Sequence, residues 1–340
     1  MNSLVSFDFD KNIIYIIIRI ISCSFFYLNE INATFLNDLI LLISFIISLI
    51  CFYRKKKYFN NIAEKQIKIN IKEYLYVILI YILFNIIPFI NTIQLFQKIM
   101  ICHFYSNTIF IGILLVCYFQ NNHLYKHQKL SFIFLFLIMF IYPDLYINYQ
   151  DLSFFYFISN LIFSSLFYYS QGIIRGYFKY VMNDKFIDPY FISSIDSGIN
   201  IIKNLLSYGY YYFIANQNKK NNYFQKYWYD KINNIDYFKL VIYLLTGIIN
   251  PIFDILVCYY YTPFHQCVCD ILSNFITLFF IRNQFIILYL IIGIINLFFS
   301  CVSSEIIILQ FCDLDKNTKK NISERGKKTA ICDLTISLVE

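Results

Sequence analysis

Runs of Ile, Leu, Phe and Tyr alternate along the chain with short polar, often basic, stretches. Clear apolar runs fall at 36–53, 74–93, 99–119, 131–148, 152–170, 237–260, 262–281 and 284–303. Each approaches the roughly 20 residues that a helix needs to cross about 30 Å of hydrocarbon. Two further stretches have the length but carry charge: 12–28 contains Arg19, and 189–214 contains Asp196 and Lys203. The pattern predicts an all-α, polytopic membrane protein, with eight spans if both charged stretches are omitted and ten if both are counted.

Charge arbitrates between the two counts. With ten spans and the amino-terminal segment in the cytoplasm, nineteen of the 28 Lys and Arg residues lie inside and six outside, following the positive-inside rule. Omitting 189–214 alone would invert every later span and expose the Lys-rich tail on the outer face. Ten spans with both termini cytoplasmic is therefore the expected arrangement, with 304–340 as a cytoplasmic tail. The loop 215–236 is basic yet assigned outside, and its Tyr and Trp residues fit an interfacial belt. Stretch 12–28 reads as a retained anchor, since no basic run precedes it and no small-residue cleavage site follows. In 171–188, Ile174, Tyr177, Phe178 and Val181 recur at helical spacing beside Arg175, Lys179 and Lys185, which predicts an interfacial helix. Lys and Arg side chains near a span end can snorkel to headgroups, and Arg19 is expected to do so. The tail segment 313–328 has the composition of a short helix or a disordered stretch, and the sequons at Asn32 and Asn321 are expected to be silent.

Composition agrees with this class. Hydrophobic residues make up 59% and charged residues 14%, against about 45–50% and about 25% in soluble domains. That excludes a soluble enzyme, a nucleic-acid-binding domain and a disordered chain, so the net charge of +7 points to topology rather than to nucleic acid. The chain has ten cysteines. Most fall in apolar spans, where free thiols act as small hydrophobes. His265-Gln266-Cys267-Val268-Cys269 has the composition of a metal site, but a structural zinc needs four ligands and no second pair is evident. No hydrolase, metalloprotease or nucleotide-binding motif occurs, so neither catalysis nor a cofactor is expected.

The third and eighth spans share a pattern. Aligned with one inserted residue, each has a proline followed three positions later by a polar side chain, Pro88 with Asn91 and Pro251 with Asp254, and the two prolines lie 163 positions apart. The spans that follow each open with a histidine, His103 and His265, at an offset of 162. A duplication of five spans implies halves of opposite orientation, as in many secondary transporters. On span count, inside termini and paired prolines the chain resembles the drug/metabolite transporter superfamily, over most of 12–303. The resemblance implies two inverted five-helix repeats, 1–150 and 151–303, and a carrier for a small polar solute; its low glycine content is unusual for that group.

Candidate substrate-binding residues follow from polarity inside spans. An acidic residue at mid-span costs about 2.5–3.5 kcal/mol to insert, so it turns toward a partner or a wet cavity. Asp254 lies well inside the eighth span just after Asn250-Pro251, where proline removes a backbone donor and is expected to break the helix. Asn85 and Asn91 offer a milder version from the other half. Asp270 and His265, with Ser273 and Asn274, begin a polar stripe in the ninth span, and His103, Ser106 and Asn107 play that part in the fourth. Histidine titrates near neutrality, so such a set suits a proton-coupled step. A kinked helix with a capped Asp, and histidines anchoring at the interface, are the structural alternatives. Asp196 and Lys203, two turns apart, either neutralise each other or meet a charged solute. The expected partners are lipid bilayer and a small polar solute, with alternating access as the mechanism; a non-transporting membrane scaffold is the alternative.

Overall fold

The computed structural model describes residues 5–7, 12–28, 34–62, 75, 78–79, 109, 112–113, 125–141, 169–183, 186–217, 237–278, 286–309 and 318. These residues are all-α apart from two short strands. In chain order they are β1 (Val5–Phe7), α1 (Ile13–Leu28), α2 (Thr34–Ile62), α3 (Lys126–Ile141), α4 (169–183), α5 (Pro189–Gln217), α6 (Tyr237–Tyr260), α7 (Pro263–Leu278), α8 (Ile286–Ser303) and β2 (Ile307–Leu309).

The apolar runs 12–28, 36–53, 131–148, 189–214, 237–260, 262–281 and 284–303 each overlap one of these helices over their described residues. The runs 74–93, 99–119 and 152–170 fall almost wholly outside the described residues. Among the described residues, two helices are long and apolar enough to cross a membrane, Leu36–Lys56 within α2 and Tyr237–Tyr260, while Ile13–Phe26 and Leu290–Ser303 are apolar but shorter. Helix α2 continues past its apolar run through Arg54 to Lys57, because long straight-chain basic residues are good helix formers. Lys55 there forms an ion pair with Asp188 at 2.6 Å.

Polarity in α2 runs opposite to that of a soluble helix. Ile40, Ser44 and Ser48 recur every four residues, hence on one face, and all are buried. Leu42, Ile46 and Ile50 on the other face are exposed. The serine stripe meets α5, where the Ser48 and Ser193 hydroxyls pair at 3.0 Å and Asn204 donates to Asp38 at 2.8 Å. Small hydroxylated residues let two helices approach closely and bond across the gap. Toward α6, Ser44 donates to the Ile248 carbonyl at 3.0 Å, and the Tyr243 hydroxyl bonds Asn37 while its ring stacks on Phe26.

Helix α6 is the hub, packing on α1, α2, α5 and α7, while α7 and α3 both pack on α8. It runs as one helix across Pro251 rather than breaking there, so the expected discontinuity is corrected. Helix α4 also departs from expectation. Ile174, Phe178, Val181 and Met182 form a buried cluster with Ile192 and Ile195 of α5 and Ile255 and Cys258 of α6, so this apolar face meets protein rather than headgroups. At its start the backbone lies against another segment. A Cβ on Gly172 would stand 2.1 Å from the Ile109 carbonyl oxygen and 2.8 Å from the Gly112 Cα, and only glycine permits that approach.

After α8 the chain turns at Glu305, whose φ of 65° is left-handed, and enters β2. Strand β2 pairs antiparallel with β1, with Val5 opposite Leu309 and Phe7 opposite Ile307. The segment entering α1 and the segment leaving α8 thus lie side by side. Of the tail segment 313–328, expected to form a short helix or a disordered stretch, only Thr318 is among the described residues.

Candidate functional site

Helical periodicity sets up the site on two helices. Asn250 and Asp254 are one turn apart on α6, and Gln266 and Asp270 are one turn apart on α7, so each pair shares a face. Arg19 of α1 inserts between these faces and uses all three guanidinium nitrogens. Its Nε donates to Asp254 at 2.9 Å, Nη2 to Asp270 at 2.8 Å, and Nη1 to the Asn250 side-chain oxygen. Arg175 enters from α4, donating Nη1 to Asp270 at 2.8 Å and placing Nη2 3.8 Å from Asp254. Each carboxylate therefore faces both guanidiniums.

The cluster is deeply enclosed, with side-chain exposures of 6% for Arg19, 17% for Arg175, 18% for Asp254 and 15% for Asp270. Two positive and two negative charges balance, and that balance permits the burial. An isolated charge in such surroundings costs many kcal/mol, and mutual attraction offsets this only when the geometry and hydrogen bonding are good. Ser22 extends the network, donating to the Arg19 carbonyl at 3.1 Å and lying 3.4 Å from Asn250. Gln266, fully buried, donates its Nε2 to the Asp254 backbone carbonyl at 2.7 Å.

Of the expected site residues, the structure joins Asn250, Asp254 and Asp270. His265 is not with them. Its Nδ1 lies 2.9 Å from the Thr262 hydroxyl at the start of α7, and its ring stacks on Tyr261. Five residues of helix turn it well away from the face of Asp270. Ser273, further along, donates to the Ile20 carbonyl of α1 at 3.3 Å. Asn85, Asn91, His103 and Asn107 lie outside the described residues, as does Pro88. Asp196 and Lys203 are linked through Asn200, which donates to Asp196 and accepts from Lys203 at 2.9 Å.

Two residues were missed. Arg19 does not snorkel to headgroups: it is 5% exposed and bound at every nitrogen. Arg175 does not decorate an interfacial helix. For Arg19 the available signal was the one that singled out Asp254, an ionisable side chain inside an apolar run. The Cys267 and Cys269 thiols are buried and free, and among the described residues no His/Cys/Asp/Glu group is arranged to hold a metal ion. Compared with family models, curated proteins and solved structures, the chain matches none of them.

Proposed function

We propose that this chain is a multi-pass membrane carrier that moves a small polar organic solute by alternating access. It has ten spans in two inverted five-helix units, with both ends on the cytoplasmic side. The observation that carries the proposal is the Arg19–Arg175–Asp254–Asp270 cluster, buried where α1, α4, α6 and α7 converge. Ionisable groups are costly inside apolar bundles and mark solute or ion pathways there. The exposed Leu42, Ile46 and Ile50 support a lipid-facing exterior around this charged interior. The β1–β2 pairing supports an even number of crossings, since an even number returns the chain to the face it left.

A balanced cluster also suits alternating access energetically. The set is neutral as a whole, but its guanidiniums lie on α1 and α4 and its carboxylates on α6 and α7, so helices that part along it require a solute with polar atoms to replace the contacts that are lost. The decisive experiment is uptake into vesicles reconstituted with the full chain, across neutral, anionic and cationic solutes. At least one class is expected to enter faster than into protein-free vesicles. Asp254→Asn is expected to slow that entry about tenfold, equivalent to about 1.4 kcal/mol.

One observation favours the scaffold alternative. Arg19 already has a partner for every nitrogen, as a purely architectural knot would. No uptake of any class, with a correctly folded protein, would select that alternative.

A further inference from the structure

Arithmetic on the buried cluster constrains what it can accept. The guanidiniums of Arg19 and Arg175 stay charged at any pH the protein meets. Asp254 and Asp270 are carboxylates, and each can take up a proton. Among the described residues, the titratable groups around them include the thiols of Cys23 of α1, Cys258 of α6, and Cys267 and Cys269 of α7. Buried thiols of this kind behave as small neutral hydrophobes. The nearby Lys179 ammonium of α4 is held by the Tyr259 carbonyl at 2.6 Å.

The cluster therefore departs from neutrality in one direction only. Protonation of one carboxylate leaves a net charge of +1 shared by two guanidiniums. A net charge is costly in low-dielectric surroundings. A monoanion restores balance, and its carboxylate matches the planar fork of arginine. A cation has no such route, because no arginine gives up a proton to accommodate it.

A second, independent feature lies beside the cluster. The Gln266 side chain is fully buried, and its Oε1 has no hydrogen-bond partner although its Nε2 is bonded. An unmet buried acceptor costs about 1–3 kcal/mol. A hydroxyl donor satisfies it, and Gln266 shares its helix face with Asp270.

Resting on the carrier function proposed above, we propose that the solute is a small hydroxylated monocarboxylate carried together with one proton. The proton binds Asp254 or Asp270, the anion binds the guanidinium released, and a hydroxyl of the solute meets Gln266. One negative and one positive charge cross together, so the step is electroneutral.

The test uses full-length protein in vesicles with a trapped pH dye, and subtracts protein-free vesicles. Lactate and gluconate serve as monoanions, glycerol and glucose as their neutral counterparts, glucosamine as a cation, and propionate as an anion lacking the hydroxyl. Lactate and gluconate are expected to enter with acidification of the lumen, and to accumulate about tenfold per unit of inwardly directed pH gradient. Lactate is expected to be preferred over propionate, and Gln266→Leu to erase that preference. Asp270→Asn, which mimics the protonated carboxylate, is expected to remove the response to the gradient. Preferred uptake of glucose, glycerol or glucosamine would overturn the inference and leave a carrier standing, and so would anion uptake indifferent to pH. Absence of uptake for every solute would overturn the carrier function itself.

Discussion

Replacing Arg19 by methionine, which keeps much of the length and loses the charge, tests whether charge balance holds the bundle together. The substitution strips donors from Asp254, Asp270 and Asn250 at once. Two carboxylates are then left to one guanidinium, which reaches Asp270 at 2.8 Å but Asp254 only at 3.8 Å. Removing one partner of a buried ion pair costs about 3–5 kcal/mol, because the other charge stays behind. At about 2 °C per kcal/mol, the low end for domains of about 150–250 residues and the end nearer to this longer chain, the melting midpoint falls by roughly 6–10 °C. Adding Asp254→Asn to Arg19→Met returns the cluster to neutrality, with Arg175 facing Asp270 alone. Asp254→Asn by itself leaves two guanidiniums over one carboxylate and is also destabilising. The double variant is expected to be more stable than either single one, with a coupling of about 2 kcal/mol. The assay is thermal unfolding of purified protein in detergent, followed by circular dichroism. Additive losses, or an Arg19→Met protein that melts with the wild type, would refute the charge-balance account.

Two other outcomes check the packing and the topology. Gly172→Ala places a methyl group against backbone that no rotamer change can clear, so a loss of about 1–3 kcal/mol is expected in the same melt, and an unchanged or raised midpoint would contradict the close approach to Gly112. Ser6→Cys with Ile308→Cys puts two thiols at directly paired positions, where Cα atoms about 4.5–5.5 Å apart suit a disulfide. Mild oxidation is expected to link the peptides containing residues 6 and 308 in a digest read by mass spectrometry, and failure to link them would separate the two ends.

Individual helices were legible because periodicity and apolar length are local. The run 237–260 coincides with α6, and 12–28 with α1 apart from its first residue. Helix α3 starts at Lys126, before its apolar run, because Lys and Gln are good helix formers that add no hydrophobicity for the pattern to register. Asp254 and Asp270 stood out since a carboxylate in an apolar stretch needs a partner. Which partner was not legible. Arg19 is 235 positions from Asp254 and 251 from Asp270, and nothing in the local pattern encodes such a pairing. Arg175 was hidden by its context, because a helix that buries one face against protein and one laid on headgroups share the same spacing. Proline at 251 was expected to break α6, yet neighbouring contacts, including the Ser44 hydroxyl on the Ile248 carbonyl, accompany a continuous helix.

The span between Arg19 and its acidic partners has a consequence for how the protein is made. A ribosome delivers α1 long before α6 and α7 exist, so the guanidinium waits, unneutralised, through the synthesis of the 235 residues that lead to Asp254. The contacts of α1 with α6 and α7 cannot form during that interval. Helix α1 is translated first, yet its seat against α6 and α7 is complete only once both exist, and the strand pairing of residues 5–7 with 307–309 needs the chain made later still. Any truncation upstream of Asp254 would leave that helix stranded, a ready signal for quality-control machinery that the chain is unfinished.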